Sequence, residues 1–298
     1  MKIRLLFFVL FFQTLSLISQ SKGDQSNAVI GNNDDFFFVR DGINILKKDF
    51  NNNTLDSLIF NEKYPSKSFK LVIQNNAPVI VNKGGGMVWK VKNDTFTRVD
   101  NSFDHKMTNA SSVFIHNDTI MKFGGYGYWS SRNFITYFSK TTKEWEIYSI
   151  NPNSLLPPGV SSVNYSYINN KGFYFSDGLK SSPKYPLNKT LNEEIWYFDF
   201  RNKSWEDLGT SKSEYIVESQ ILKLGNGQML VGSTYGSAVS NDQVYLYDFI
   251  NNNIGRLNSF NQIFGIDSAF VANDSLYNYR NNTYIYTRND ITFILDSF

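Results

Sequence analysis

The chain has 298 residues, of which 41% are hydrophobic and 16% aromatic; this is enough for a substantial core, in one large repeat domain or two ordinary domains, and favours strands over helices. The formal net charge is only +2, which argues against nucleic acid or an anionic membrane surface as a partner. The absence of cysteine excludes disulfides, thiol chemistry and a lipoprotein anchor.

The first 25 residues have the pattern of a secretory signal peptide. Residues 1–4 are basic, residues 5–18 form an apolar run, and small polar residues follow. The run is shorter than a typical transmembrane helix, although an uncleaved membrane anchor is the alternative interpretation. We therefore expect a secreted protein, periplasmic or extracellular, with no membrane insertion after cleavage and a mature domain at residues 26–298.

One pattern recurs along this domain: two apolar anchors, mostly aromatic, enclose six mostly polar residues. An Asn near the middle (Asn93, Asn202, Asn251 or Asn289) tolerates the positive φ of a tight turn, so each copy predicts a β-hairpin. The anchor pairs are Trp89 and Phe96, Phe138 and Trp145, Phe198 and Trp205, Tyr247 and Ile254, Tyr286 and Phe293, with a degenerate sixth at Lys48 and Leu55.

A second alternating hairpin precedes each copy, as in residues 112–123 and 268–279, which both turn at an Asn-Asp pair. Each unit thus contains four antiparallel strands, and the units recur after roughly 40 to 60 residues, which is typical of propellers. We predict an all-β fold, a six-bladed β-propeller of four-stranded antiparallel blades. Six units laid end to end predict closure by contact between whole blades; with a shifted phase, one blade would instead combine strands from both termini. The predicted blades are roughly 26–60, 68–99, 111–149, 160–208, 215–257 and 267–298.

Paired glycines follow the second strand of two units, at Gly84-Gly85-Gly86 and Gly124-Gly125, each just before the aromatic anchors. With these glycines and anchors the chain resembles the kelch-repeat family, whose units are propeller blades. The resemblance covers nearly the whole mature chain, but the double glycine is intact in only two of six units. It implies that glycines let the backbone pass closely between sheets and that aromatic anchors fill the space between blades.

Long, variable loops follow the second and fourth strands of the units, and up-and-down strands place both kinds of loop on one face. Variable loops on a rigid scaffold are where binding usually resides, so this loop face is the predicted ligand site, although its rings could instead pack against their own loops. Exposed aromatics among charged residues suit sugar rings or a protein partner. The candidate ligand-binding residues are Tyr126, Tyr128, Trp129, Arg132, Asp177, Lys184, Tyr185 and Tyr235.

Catalytic chemistry has little support in the sequence. The two histidines, His105 and His116, fall in different classes of loop, which argues against a paired-histidine metal site, and His116 is expected at the surface. A chain without cysteine cannot build the copper site of galactose oxidase, which also has a kelch propeller. We therefore assign no catalytic residues and expect no metal or other cofactor.

Two functions remain open. By analogy with kelch propellers, the first is an exported, monomeric binding module that recognises a glycan or a protein, without nucleic acid as a partner. The alternative is a metal-independent sugar-acting enzyme resembling the kelch N-acetylneuraminate epimerase, with Asp104, Asp177 or Arg132 as acid/base candidates. No motif selects between them.

We predict that the mature protein begins between residues 20 and 26, because the apolar run and the small residues after it define a cleavage region. Amino-terminal sequencing of exported material tests this. Retention of Met1 would show that the segment is not a cleaved signal peptide.

Overall fold

The computed structural model describes residues 29–32, 35–61, 69–102, 108–168, 171–182, 184–210, 220–225, 228–232, 244–257, 269–272, 275–278 and 283–287. The regular elements within these ranges are β-strands, and the ranges include no helix able to cross a membrane. In chain order the strands are β1 (Val29–Asn32), β2 (Phe37–Asp41), β3 (Asn44–Lys48), β4 (Thr54–Ile59), β5 (Phe69–Gln74), β6 (Ala77–Asn82), β7 (Val88–Lys92), β8 (Thr95–Arg98), β9 (Ser112–His116), β10 (Thr119–Phe123), β11 (Tyr126–Gly127), β12 (Ser130–Ser131), β13 (Ile135–Phe138), β14 (Trp145–Ile147), β15 (Asn164–Ile168), β16 (Gly172–Ser176), β17 (Leu179–Ser182), β18 (Tyr185–Leu191), β19 (Glu194–Asp199), β20 (Ser204–Thr210), β21 (Gln220–Gly225), β22 (Gln228–Gly232), β23 (Val244–Asp248), β24 (Asn253–Leu257), β25 (Ala269–Ala272), β26 (Ser275–Asn278) and β27 (Thr283–Thr287).

These strands form the six blades of a β-propeller, which confirms the predicted fold class. The blades are, in order, β1 to β4; β5 to β8; β9, β10, β13 and β14; β15, β16, β19 and β20; β21 to β24; and β25 to β27. Within each blade, neighbouring strands pair antiparallel. The outermost strands of the first two blades also meet, through a single parallel bridge between Ile59 and Thr95 and a 2.8 Å hydrogen bond from the Ile59 N–H to the Asp94 carbonyl.

The first strand of each blade lies innermost, and these strands form a ring. Strand β5 lies between β1 and β9, and β21 lies between β15 and β25. The Tyr165 hydroxyl donates to the Val113 carbonyl at 2.6 Å and so joins β15 to β9. Because β1 also contacts β25, the ring closes by contact between the first and sixth blades.

Aromatic side chains fill the space between the third and fourth blades. Phe123 of the third blade lies 4.6 Å from Phe175 and 5.0 Å from Trp205 of the fourth, measured between ring centroids. Phe198 and Trp205 face each other across their hairpin, with ring centroids 4.8 Å apart, and both are buried. The expected burial of the anchors is confirmed there and at Phe138, whereas Trp145 is only half-buried.

The anchors of the second, third and fourth blades pack against the preceding blade. Phe198 and Trp205 belong to a cluster with Phe114 and Phe123 of the third blade. Phe138 packs with Val72 and other valines of the second blade, and Trp89 and Phe96 pack with residues of the first, including Phe60. A blade therefore buries its anchors only when its predecessor is in place.

An aspartate closes the outer hairpin turn in two of the best copies of the pattern. Asp199 accepts hydrogen bonds from the Arg201 N–H at 2.7 Å and from the Asn202 side-chain amide at 2.6 Å. Asp248 makes the same two bonds, both at 2.9 Å, to the residues at the corresponding positions. The predicted positive φ at Asn202 is wrong: the residue after it, Lys203, has φ 53°.

The second blade departs from the repeat in register. Trp89 pairs with Arg98 and Val91 with Phe96, so Trp89 and Phe96 are not opposite each other as the six-residue interval implies. The cause is the turn itself: Asn93 and Asp94 have φ 49° and 56°, which closes the hairpin in two residues.

His116 is buried, contrary to its expected place at the surface. Its ring stacks on Phe200 at 3.6 Å between centroids, and its Nδ1 lies 3.0 Å from the Tyr167 hydroxyl. Burial lowers the pKa of His116. The sequence around His116 does not predict this burial, because both contacting residues belong to the fourth blade.

Lys122 ties the third blade to the second from a buried position. Its Nζ donates to the Asn82 carbonyl at 2.6 Å and to the Gly85 carbonyl at 2.5 Å, and it lies 4.3 Å from the centroid of the Trp145 ring. Lys122 is only 2% exposed. Burial lowers the pKa of Lys122 to about 7, and the charge of Asp100 opposes this shift.

We expect Trp205→Ala to lower the free energy of unfolding by about 3 to 5 kcal/mol, because it removes buried contacts and leaves a cavity between two blades. Trp129→Ala is the matched control, since Trp129 is exposed and should contribute little. Denaturant unfolding measures both. Equal stability of the Trp205 variant and the wild type would contradict the inter-blade packing.

We expect stability to rise with pH between about 7 and about 10, because an exposed lysine of the unfolded chain titrates near 10.4 and there retains a proton that folded Lys122 has lost. The melting temperature, measured across this pH range, should rise less steeply for Lys122→Met than for the wild type. Lys92→Met, at an exposed lysine, should keep the wild-type slope. Identical slopes for all three proteins would contradict the shifted pKa.

Candidate functional site

Two short hairpins stand on the loop face, between the second and third strands of the third and fourth blades. The first consists of β11 and β12, and the second of β17 and β18. They pack side by side: the Ser131 hydroxyl donates to the Leu179 carbonyl at 3.0 Å and lies 3.0 Å from the Ser181 hydroxyl. We call residues 126–131 and 179–191 the two-hairpin platform.

Backbone hydrogen bonds join the platform to the connections between blades. Tyr126 exchanges two bonds with Asn109, at 2.7 and 2.9 Å, and Leu179 exchanges two with Ser161, at 2.8 and 3.1 Å. The loops after the second and fourth strands therefore share one face, as the strand order requires. The platform is consequently anchored to the scaffold at both hairpins.

Two glycines make this close approach possible. Gly124 and Gly125 have φ 66° and 99°, in the region that favours glycine. A Cβ atom on Gly124 would lie 2.6 Å from the Val160 carbonyl oxygen, and one on Gly125 would lie 2.5 Å from that of Thr108. The double glycine thus allows three backbone segments to meet beneath the first hairpin.

The tip of the first hairpin presents two aromatic rings. Tyr128 is 59% exposed and Trp129 68%, and they form the turn between β11 and β12. Their φ angles are 49° and 67°, the left-handed values that Asn75 and Asn76 adopt in a turn of the second blade. This conformation costs a residue other than glycine about 1 to 2 kcal/mol, so it is an unusual place for two large side chains.

Cations lie against the rings of the first hairpin. The Arg132 guanidinium carbon is 5.6 Å from the centroid of the Tyr128 ring, and the Lys189 ammonium is 5.3 Å from that of Tyr126. Both distances suit cation–π attraction. Lys189 comes from the second hairpin and was not among the predicted site residues, because only the fold brings it beside Tyr126.

The other predicted site residues have different outcomes. Asp177 is buried at the base of the second hairpin, with φ 56°, and its carboxylate accepts a 2.7 Å hydrogen bond from the Ser176 hydroxyl. It is therefore not at a loop tip, as its place among the loop candidates suggested. Lys184 is exposed in the turn before β18, Tyr185 is the first residue of β18, and Tyr235 lies outside the described residues.

Metal ligation has no obvious location here. Within the described ranges, no group of three or more His, Asp or Glu side chains could hold a metal ion. His105 and Asp104 lie outside those ranges. The platform instead offers aromatic faces, hydroxyls and cations, which suit noncovalent recognition.

No family model and no curated protein matches this chain. Among solved structures it is similar to one titled "Structure of YjhT", with a TM-score of 0.51 and 16% sequence identity over 70% of each chain. At this identity the similarity concerns the fold alone, and it agrees with the β-propeller described above.

Proposed function

We propose that this protein is an exported binding module that recognises a glycan through the two-hairpin platform. The observation that carries the proposal is the turn of the first hairpin, where Tyr128 and Trp129 expose adjacent rings in a left-handed conformation. Backbone strain of this kind collects at functional sites, and here it holds two large rings away from the core.

A glycan fits the chemistry around this tip. The C–H faces of a sugar ring can stack on Tyr128 and Trp129, while the Arg132 guanidinium, which lies against the Tyr128 ring, can donate to its oxygens. Lys189 lies against the Tyr126 ring and adds a second cation to the platform. A protein partner would use the same rings as anchors. We favour the glycan because cations lie against the Tyr128 and Tyr126 rings, and the Ser131 and Ser181 hydroxyls belong to the same platform.

The platform is also suited to binding without rearrangement. Ser131 bonds one hairpin to the other, and Asn109 and Ser161 bond them to the blade connections. A site fixed in this way loses little conformational entropy when a ligand binds, which favours affinity.

The alternative, a metal-independent sugar-acting enzyme, has one specific observation in its favour. Asp177 is a buried carboxylate at the base of the platform, beside the Ser176 hydroxyl, and burial is a common way to tune a general acid or base. The enzyme would be favoured if the wild type converted a bound sugar and Asp177→Asn still bound that sugar but no longer converted it.

We expect the double variant Tyr128→Ala and Trp129→Ala to weaken binding at least about tenfold, because loss of two stacked rings removes more than about 1.4 kcal/mol. The ligand is first identified by screening the wild type on a glycan array, and affinities are then measured by titration calorimetry. The melting temperature should change little, since both side chains are exposed.

The control is Ile250→Ala, an exposed apolar residue in an outer hairpin turn on the opposite face. It should leave the affinity unchanged. If the double variant still bound the glycan and Ile250→Ala did not, the binding site would lie on the hairpin-turn face and not on the platform. If the wild type bound no glycan on the array but bound a secreted protein in a proteome screen, the ligand would be a protein and not a glycan.

A further inference from the structure

Three lysines lie in the seam between the second and third blades, apart from the platform. Lys70 of β5 pairs with Val81 of β6, and Lys83 follows Val81 by two residues, so both are expected on the same side of the sheet in diagonal positions. That side faces the third blade, because Val72 and Val81 pack there against Val113. The third lysine is Lys122, which reaches into the same seam from the third blade.

The lysines belong to the loop-face end of this seam. At the opposite end of β5, the Gln74 side-chain amide donates to the Asp118 carbonyl at the hairpin turn of the third blade, at 2.7 Å. Lys70 is near the start of the same strand, and Lys83 follows the end of β6, where the long loop begins. Both lysines are half-buried residues.

Positive charge in this seam is only weakly compensated. Burial lowers the pKa of Lys83, and burial together with the charge of Lys83 lowers the pKa of Lys70. None of the three lysines forms an ion pair within the described ranges. Asp100, the carboxylate whose charge acts on Lys122, is itself bound to the Arg98 guanidinium at 3.0 Å.

The backbone that carries Lys83 is fixed before any ligand arrives. The Lys83 carbonyl accepts a 2.7 Å bond from the Ser111 hydroxyl, and the N–H groups of Gly84 and Gly85 donate to the Asn82 side-chain oxygen at 2.7 and 2.8 Å. The second blade thus holds the like charges of Lys70 and Lys83 near each other in a fixed frame. An anion in the seam would relieve this repulsion.

We propose that the seam is an anion-binding site in which the ammonium groups of Lys70 and Lys83 bind one oxyanion: a sulfate, a phosphate or the carboxylate of an acidic sugar. Lys122 keeps its hydrogen bonds to the Asn82 and Gly85 carbonyls and does not contact the ligand. The site does not depend on the proposed function of the platform.

The test is a titration of the wild type with sodium sulfate, sodium phosphate and sodium glucuronate, each against sodium chloride at equal ionic strength. Calorimetry should detect saturable binding of at least one oxyanion, and the tightest of the three identifies its chemical source. Lys70→Met and Lys83→Met should each weaken this binding at least tenfold, whereas Lys83→Arg and the exposed-site control Lys92→Met should retain it.

A second readout separates an anion site from a merely structural role. In buffer without oxyanions, Lys70→Met should raise the melting temperature, because it removes a buried charge and its repulsion with Lys83; a structural lysine would instead lower it. Absence of saturable oxyanion binding by the wild type, or equal binding by both Met variants, would overturn the proposal. The Tyr128 and Trp129 double variant should keep oxyanion binding, so failure of the platform and failure of this site are distinguishable.

Discussion

Packing of aromatic side chains between neighbouring blades is the interaction on which the structure depends. Phe123 of one blade meets Phe175 and Trp205 of the next, and the anchors of the second and third blades also pack against the preceding blade. A single four-stranded sheet cannot bury these rings alone, so each blade gains its stability from its neighbours. The contact between β1 and β25 joins the first blade to the sixth.

This arrangement separates stability from recognition. The rings that hold the blades together lie between sheets, whereas the two-hairpin platform lies on the loop face and is joined to the scaffold by backbone and hydroxyl hydrogen bonds. Gly124 and Gly125 mark the boundary between the two, because they allow the loops to meet without disturbing the sheets. Side chains on the platform can therefore vary without repacking the core.

Most of the fold was predictable because its signals are local and repeated. The anchors and turn residues of each hairpin lie within about ten residues of one another, which is the range in which strand and turn preferences act. The predictions were wrong where a turn has a different conformation from the expected one. Asn93 and Asp94 close the outer hairpin of the second blade in two residues, and Lys203 rather than Asn202 has the positive φ.

The candidate site was less predictable because its contacts join distant parts of the chain. Irregular loop sequence was enough to single out Tyr128 and Trp129, which the structure places at an exposed tip. Nothing near Lys189 in sequence indicates that it faces Tyr126, and nothing near Lys122 indicates that it is buried against Asn82 and Gly85. Those positions follow from the stacking of blades about 40 to 60 residues apart.

The bridge between Ile59 and Thr95 has a consequence for self-association. The outermost strand of a blade presents unpaired N–H and C=O groups, and such an edge can recruit a strand from another molecule and start aggregation. Where β4 meets β8, the first two blades occupy part of each other's edge, and the Asp94 carbonyl already accepts the Ile59 N–H. This one contact therefore obstructs the addition of a strand from another molecule at the edges of both β4 and β8.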